Sequence, residues 1–552
     1  MPMRKSMLAL AVLLSMGQVF GATPAWSQRA KDATHSYFTT APKITAPSVF
    51  WVLDDIPAPA YGSPNVVVGA NNDIYCVQYD GTYYSIVELN RKGQVQRTYY
   101  SNSAVPVTSL AVSATNLYAD FGGTSGAFHA WTLGDTNILW SKSDDYIGSV
   151  IALDDGGNVY ILSDSTVYSF TNTGTSRWTQ SLTATSVGVW PALASGALIV
   201  TYDNKMVAYN SSGGSQRWFI DMATWHPDWQ YFTMPVVGLD GTIWAGRVAY
   251  DLLQNYVALD PSSGNPIMQL SPPYSGSLLF SLTSSKMLIF AGEGHLVGGT
   301  YDTVAKTVTQ NFSVNAGFPP ATTVTVATDR MYQGRSNGTL YAYKTTDGSQ
   351  TWSLPLGLGG AYGVGIIAAD QYGTLYIPTS DGRLAVVGES PVAVASGPAF
   401  GLPGVPVTFS SSGSGPGIPT DTITYSWDFG DLTSSTDANP TKTYTANGVY
   451  NVVLTVTANE TGAVGTDTIQ IIIDDQPPAI TLTDAKLWGT VLDDTSTPPT
   501  INVGGTDVPV NPTLHTWVSG WVLLETSGPT DIDVVASDAS GNTRTVTLTV
   551  AP

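Results

Sequence analysis

A strand-and-turn unit recurs through the first two thirds of the chain, and no other feature limits the fold as tightly. Each copy is a Gly/Asp/Asn turn leading into a short strand with an aromatic or aliphatic centre. The copies are "NNDIYCV" at Tyr75, "ATNLYAD" at Tyr118, "GGNVYIL" at Tyr160, "SGALIVTY" at Val200, "DGTIWAG" at Trp244, "SKMLIFAG" at Phe290, "TDRMYQG" at Tyr332 and "YGTLYIP" at Tyr376. Their mean spacing is about 43 residues, the period of a four-stranded propeller blade. No stretch with apolar residues at i, i+3 and i+4 competes with this pattern. A second turn follows most copies, at Asp80-Gly81, Asp203-Asn204, Glu293-Gly294, Asn337-Gly338 or Asp381-Gly382. These are hairpin signals, because tight primed turns need positive φ.

The unit continues with an alternating strand such as "TLYAYK", a third turn, and a closing Trp. The best copies space Ala, five residues, Gly, three residues, Trp. Ala208, Gly214 and Trp218 fit, as do Ala342, Gly348 and Trp352. Ala258 and Gly264 fit with Met268 for Trp, Ala130 and Trp140 with Thr136 for Gly, and Gly174 and Trp178 with Tyr168 for Ala. The small residue leaves room for a large ring, and the Gly takes a left-handed turn at low cost. The Trp offers a large apolar surface to lock sheet to sheet. One such sheet cannot bury both faces alone, so the array must close on itself. The last unit ends at "GRLAVVGES" without a Trp strand, and "SVFWVLDD" near the start supplies one, with Trp51 in the place of Trp352. The expected fold is therefore all-β: an eight-bladed propeller over 48–389, docked by Trp51, Trp140, Trp178, Trp218 and Trp352, then two β-sandwiches.

The repeated "GTLYAYKTTDGSQTW" pattern resembles the pyrroloquinoline-quinone-type (PQQ-like) propeller repeat, over about 340 residues. That resemblance implies the fold and leaves function open, since the repeat serves quinoprotein dehydrogenases and outer-membrane assembly scaffolds alike. The dehydrogenases use a vicinal disulfide, a calcium carboxylate set and a catalytic Asp. A chain with one cysteine, Cys76, cannot form the disulfide. Beyond Ser390, "SWDFGD" (Ser426–Asp431), "NPTKTY" (Asn439–Tyr444) and "GVYNVVLTV" (Gly448–Val456) resemble a PKD domain, expected over 390–475 with Trp427 and Phe429 in its core. From Gln476, "PAITLTD", "GWVLLE" and the "DASGN" turn at Asp538 to Asn542 are similar to bacterial Ig-like domains, expected over 476–552.

At the N-terminus, Arg4 and Lys5 precede the largely apolar run Met7 to Met16, with a small-residue site at Ala25-Trp26-Ser27. This predicts a signal peptide over 1–27, a linker over 28–47 and an exported chain: periplasmic, surface-bound or extracellular. Neither a membrane span nor a lipid anchor is expected. Acids outnumber bases 42 to 22, giving a formal charge of −20, which argues against nucleic acid as a partner. The histidines, His35, His129, His226, His295 and His515, lie in different repeats or domains. The adjacent acids at Asp54-Asp55, Asp144-Asp145, Asp154-Asp155, Asp474-Asp475 and Asp493-Asp494 read as solvated loop ends, since neighbours on a strand point to opposite faces. No catalytic residue, cofactor or metal is predicted.

One stretch breaks the rhythm. Trp218 to Met268 spans about 50 residues, against about 40 from Trp178 to Trp218. The excess includes "MATWHPDWQYF", read as a connection between blades. Its Trp225, His226, Asp228, Trp229 and Tyr231 are the candidate ligand or partner surface, because aromatics with a few polar groups suit sugar stacking and protein hot spots. The functional expectation is a non-enzymatic binding or scaffold protein with a protein or polysaccharide partner. A polysaccharide lyase or hydrolase is the alternative, and a PQQ-dependent dehydrogenase the third reading.

Overall fold

A computed structural model describes residues 38–550 apart from 40, 55, 57–65, 101–103, 123–126, 144–149, 164, 184–190, 222–223, 225–228, 233–234, 239, 250–254, 271–279, 283–285, 293–294, 316–323, 336, 358–366, 380, 483–486, 494–496 and 520–529. The chain divides into two compact units, 1–388 and 389–552.

In the first unit the described residues form eight antiparallel sheets, each built on a run of four strands. Numbered along the chain by their second strands, these are sheet 1 (Ile74–Tyr79), sheet 2 (Asn116–Phe121), sheet 3 (Val159–Ser163), sheet 4 (Ala197–Tyr202), sheet 5 (Ile243–Ala249), sheet 6 (Met287–Gly292), sheet 7 (Arg330–Gly334) and sheet 8 (Leu375–Pro378). Each second strand holds one of the eight central residues of the sequence repeat, and all eight are buried, Phe290 being the most exposed at 6 %. The first strands lie side by side around a centre: Val66–Val68 against Val107–Val112, then Val150–Leu153, Pro191–Ala194, Val236–Val237, Phe280–Leu282 and Thr325–Ala327. Thr325 Oγ1 donates to the Ile367 carbonyl (2.8 Å) beside the first strand of sheet 8, Ala368–Ala369, which in turn packs against Val66–Val68. The first unit is thus a closed β-propeller, and its apolar clusters lie between successive sheets.

The N-terminal segment completes it. Pro47–Leu53 lies beside Leu384–Glu389 as the outer strand of sheet 8. Just before it, Ile44 N donates to Tyr332 Oη (2.9 Å) and Lys43 pairs with Asp329 (3.1 Å), both groups of sheet 7. Phe38–Thr39 runs parallel to Thr325–Ala327 on the inner side of sheet 7.

Where a unit closes on a Trp, that ring docks onto the following sheet. The Trp178 ring lies on Gly214 of sheet 4, where a Cβ would sit 2.7 Å from Cδ2, and its Nε1 donates to the Ser211 carbonyl (2.9 Å). Trp140 sits likewise on Gly174 and donates to Asn172 O (3.0 Å); Trp218 sits on Gly264 and donates to Pro261 O (3.0 Å). Trp51 sits on Gly93 of sheet 1 and donates to Arg91 O (2.8 Å). Trp352 donates to the Ile44 carbonyl (2.9 Å), so the N-terminal segment supplies the acceptor on sheet 8. Sheet 6 presents Phe312 to Gly348 instead of a Trp. Each of the five Trp rings therefore gains apolar contact and a satisfied N–H together, which is what a half-buried indole needs, whereas Phe312 gains the apolar contact alone.

A bulge in the outer hairpin aims each ring. Trp140, Trp218 and Trp352 pair directly with Ala130, Ala208 and Ala342, and the register slips just beyond. Trp178 pairs with Ser169, so Tyr168 does not occupy the small-residue position that the spacing suggested. In sheet 2 the positive-φ residue of the turn is Gly134, not the Thr136 position. The hairpin of Ser169 and Trp178 is one residue shorter than that of Ala208 and Trp218, whereas that of Ala130 and Trp140 keeps the length and only its turn glycine is shifted.

The second unit carries two sandwiches. In the first, Ile423–Asp428, Gly448–Ala458 and Val464–Ile473 form the main sheet over a core holding Trp427 (0 % exposed) and Phe429. In the second, a three-stranded sheet around Trp488–Leu492 and a four-stranded sheet around Thr530–Ser537 enclose Trp517.

Candidate functional site

In an up-and-down sheet the chain enters the first strand at the same end where it turns from the second strand to the third. All eight first strands run the same way round the ring, so one mouth gathers both kinds of connection. Four of the hairpins read from the sequence lie at this mouth, and Gly81, Asp203, Gly338 and Gly382 adopt positive φ there. The connection between sheets 4 and 5 joins Asp221 to the first strand of sheet 5 at the same mouth.

That connection carries the residues singled out from sequence. Trp225, His226 and Asp228 lie outside the described residues. Trp229–Phe232 is a strand: Trp229 pairs with Ala249 and Phe232 with Arg247, on the second strand of sheet 5. Val236–Val237 pairs with Trp244 and Ile243 further along the same strand. Part of the extra length therefore lengthens the inner line of sheet 5, where the sequence reading expected only a connection. The backbones of Trp229 and Tyr231 thus sit at the mouth end of that line.

The described ionisable groups of the ring mostly tie residues together. Asp370 is fully buried, with Arg91 of sheet 1 at 3.7 Å and Tyr376 Oη at 3.2 Å; Arg91 also covers the ring of Tyr372 at 4.8 Å. Burial pushes the Asp370 carboxyl above its ordinary range, and the Arg91 charge opposes that push. Asp240 of sheet 5 pairs with Lys286 (3.1 Å) and accepts from Tyr301 Oη (3.2 Å), both on sheet 6. Glu88 accepts from Arg97 (2.7 Å) and Tyr99 Oη (3.0 Å); burial and the Glu88 charge raise the Tyr99 phenol to about 12. Asp154 accepts from Tyr160 Oη (2.8 Å), whose oxygen also lies 3.2 Å from the Ser211 carbonyl of sheet 4. His129 lies between the rings of Phe121 and Trp131, and burial lowers its pKa. Cys76 is buried, with its thiol pushed up.

In the second unit, carboxylate oxygens of Asp474, Asp493 and Asp538 come within 4.8 Å of one another. Such a set has the donor type of a hard-cation site. Asp474 and Asp538 are buried, so these two are not the solvated loop ends and plain hairpin residue read from sequence. Asn542 Nδ2 joins Asp538 to the Asp474 carbonyl, at 2.8 and 2.7 Å, and so connects the two sandwiches. The sequence signal was present in the acids themselves, but their meeting depends on how the second sandwich follows the first. Among the described residues no helix is long and apolar enough to cross a membrane.

Two family models match parts of the chain. Residues 130–275, from the third strand of sheet 2 to beyond sheet 5, match the family described as outer membrane protein assembly factor BamB. Residues 388–473 match the PKD domain family. No curated protein matches the chain. Similar solved structures include the quinohemoprotein alcohol dehydrogenase from Comamonas testosteroni (11% identity, 68% of this chain and 82% of that one, TM-score 0.48). BamB from Moraxella catarrhalis is another (12% identity, 62% and 97%, TM-score 0.43).

Proposed function

We propose that this chain is an exported, non-enzymatic binding protein whose ring engages a protein partner through the mouth described above, with the two sandwiches as a spacer. The observation that carries this reading is the family match over 130–275, because the family is described as an assembly factor, a role performed by contact. The seam groups are consistent with it. Asp370, Asp240, Glu88 and Asp154 each face a basic or phenolic partner that holds sheets or strands together. Export is supported by Arg4 and Lys5 ahead of the apolar run Met7 to Met16. The surface centred on Trp225, His226, Asp228, Trp229 and Tyr231 remains the proposed contact for its aromatic content.

The test is cross-linking of the tagged chain in its own cell envelope. The reading predicts one dominant protein adduct, lost when Trp225 and Trp229 are both changed to Ala. Release of reducing or unsaturated sugar ends from a polysaccharide panel would overturn it in favour of an enzyme. Dye-linked alcohol oxidation after adding PQQ and calcium would overturn it in favour of a dehydrogenase.

A further inference from the structure

The hairpin of sheet 1 at the same mouth, "YDGTYY" from Tyr79 to Tyr84, presents exposed rings on a fixed turn. Tyr79 and Tyr83 are 38 % and 45 % exposed. Tyr79 packs on Tyr84 with centroids 4.5 Å apart, and Tyr84 in turn packs against the apolar cluster between sheets 1 and 2. The Tyr79 hydroxyl donates to the Gly81 carbonyl at 2.9 Å. Asp80 Oδ1 accepts from the amides of Thr82 and Tyr83, each at 2.7 Å. Those two amides, Tyr83 first, hold the exposed Asp80 carboxyl below its ordinary range, so it stays charged. The Tyr79 ring and the turn backbone are thus set before any ligand arrives, which lowers the entropy cost of binding.

The ligand's chemistry follows from charge and from what this chain does elsewhere. Three other tyrosine rings are each covered by a guanidinium of the same chain: Tyr372 by Arg91 (4.8 Å), Tyr341 by Arg335 (3.5 Å) and Tyr160 by Arg177 (5.8 Å). Among the described residues no Lys or Arg covers Tyr79, Tyr83 or Tyr84, although Asp80 adds a fixed negative charge beside them. A chain of formal charge −20 repels anions and draws cations. We propose that the Tyr79–Asp80–Tyr83 hairpin receives an arginine side chain of a protein partner, stacked on the rings and paired with Asp80. This rests on the reading of the ring as a protein-binding module and names the chemistry of one contact.

The probe is a fluorescein-labelled (Gly-Arg)4 peptide, with (Gly-Ser)4 as its neutral control, titrated into the full chain at 150 mM salt and followed by anisotropy. The inference predicts at least about tenfold weaker binding for Tyr79→Ala/Tyr83→Ala. Tyr79→Phe/Tyr83→Phe, which keeps both rings, should stay within about threefold of wild type, and Asp80→Asn should fall between the two. Equal binding by the Ala pair would overturn the inference, leaving only attraction to a negative surface. So would an equal loss in the Phe pair, or binding of cellohexaose in place of the arginine peptide. If the envelope adduct persists in the Ala pair, the protein-binding reading survives and the hairpin is not its contact. Loss of the adduct in wild type would remove that reading, whatever the peptide does.

Discussion

Changing Gly214 to Ala examines how one sheet is fastened to the next. Gly214 has φ of +72°, and a Cβ there would lie 2.7 Å from Cδ2 of Trp178 on the preceding sheet. Two costs should add. A left-handed φ costs a non-glycine residue about 1 kcal/mol. Forcing a methyl into a packed ring costs about 1–3 kcal/mol more. Gly134→Ala isolates the first cost, because Gly134 has φ of +89° and nothing within 4 Å of its would-be Cβ. Trp178→Ala should itself cost about 3–5 kcal/mol, including the hydrogen bond to Ser211. In that background the ring is gone, and Gly214→Ala should cost only the backbone share. The double-mutant cycle should therefore be less than additive by about 1–3 kcal/mol. Guanidinium unfolding midpoints at constant m-value provide the measurement. Equal losses at Gly214 and Gly134, or strict additivity with Trp178→Ala, would refute the docking mechanism.

Other outcomes follow from the same geometry. Gly298→Ala should destabilise by about 1–3 kcal/mol in thermal unfolding, because the Phe312 ring occupies the space beside Gly298. Trp51→Ala should speed proteolysis of the first unit far more than Trp51→Phe, since only Ala abandons the contact with Gly93. Burial holds the Asp370 proton in the folded chain at pH values where the unfolded chain has lost it. Its contribution to stability therefore declines as pH rises from the ordinary carboxylate range through the raised value, and Asp370→Asn should flatten that part of the stability–pH curve. Asn542→Ala should lower the unfolding midpoint of the second unit by removing the bridge between Asp538 and the Asp474 carbonyl.

The repeat was readable because it is local. Each second strand lies between its own turns, and Tyr75, Tyr118, Tyr160 and Tyr332 recur at near-constant spacing. What each closing Trp touches was not readable. Trp178 and Gly214 belong to neighbouring units, and the sequence reading placed that Gly only in a turn, without its second role as the floor for a ring. Phe312 escaped the Trp pattern, and so did Gly298, which makes room for it where sheets 2, 4, 5 and 7 use Ala and sheet 3 uses Ser. Arg91 and Asp370 lie at opposite ends of the ring's sequence and meet only because the ring closes. The stretch around Trp225 was noticed for its length, and the described part, Trp229–Phe232, explains some of that length as strand.

The account turns on Pro47–Leu53 serving as the outer strand of sheet 8 while Trp51 docks on sheet 1. Hydrogen exchange resolved by peptide measures this directly. The account predicts that amides of 48–53 and of 384–389 exchange slowly in wild type and are released together by Trp51→Ala. Rapid exchange of 48–53 in wild type, with 384–389 still protected, would contradict it.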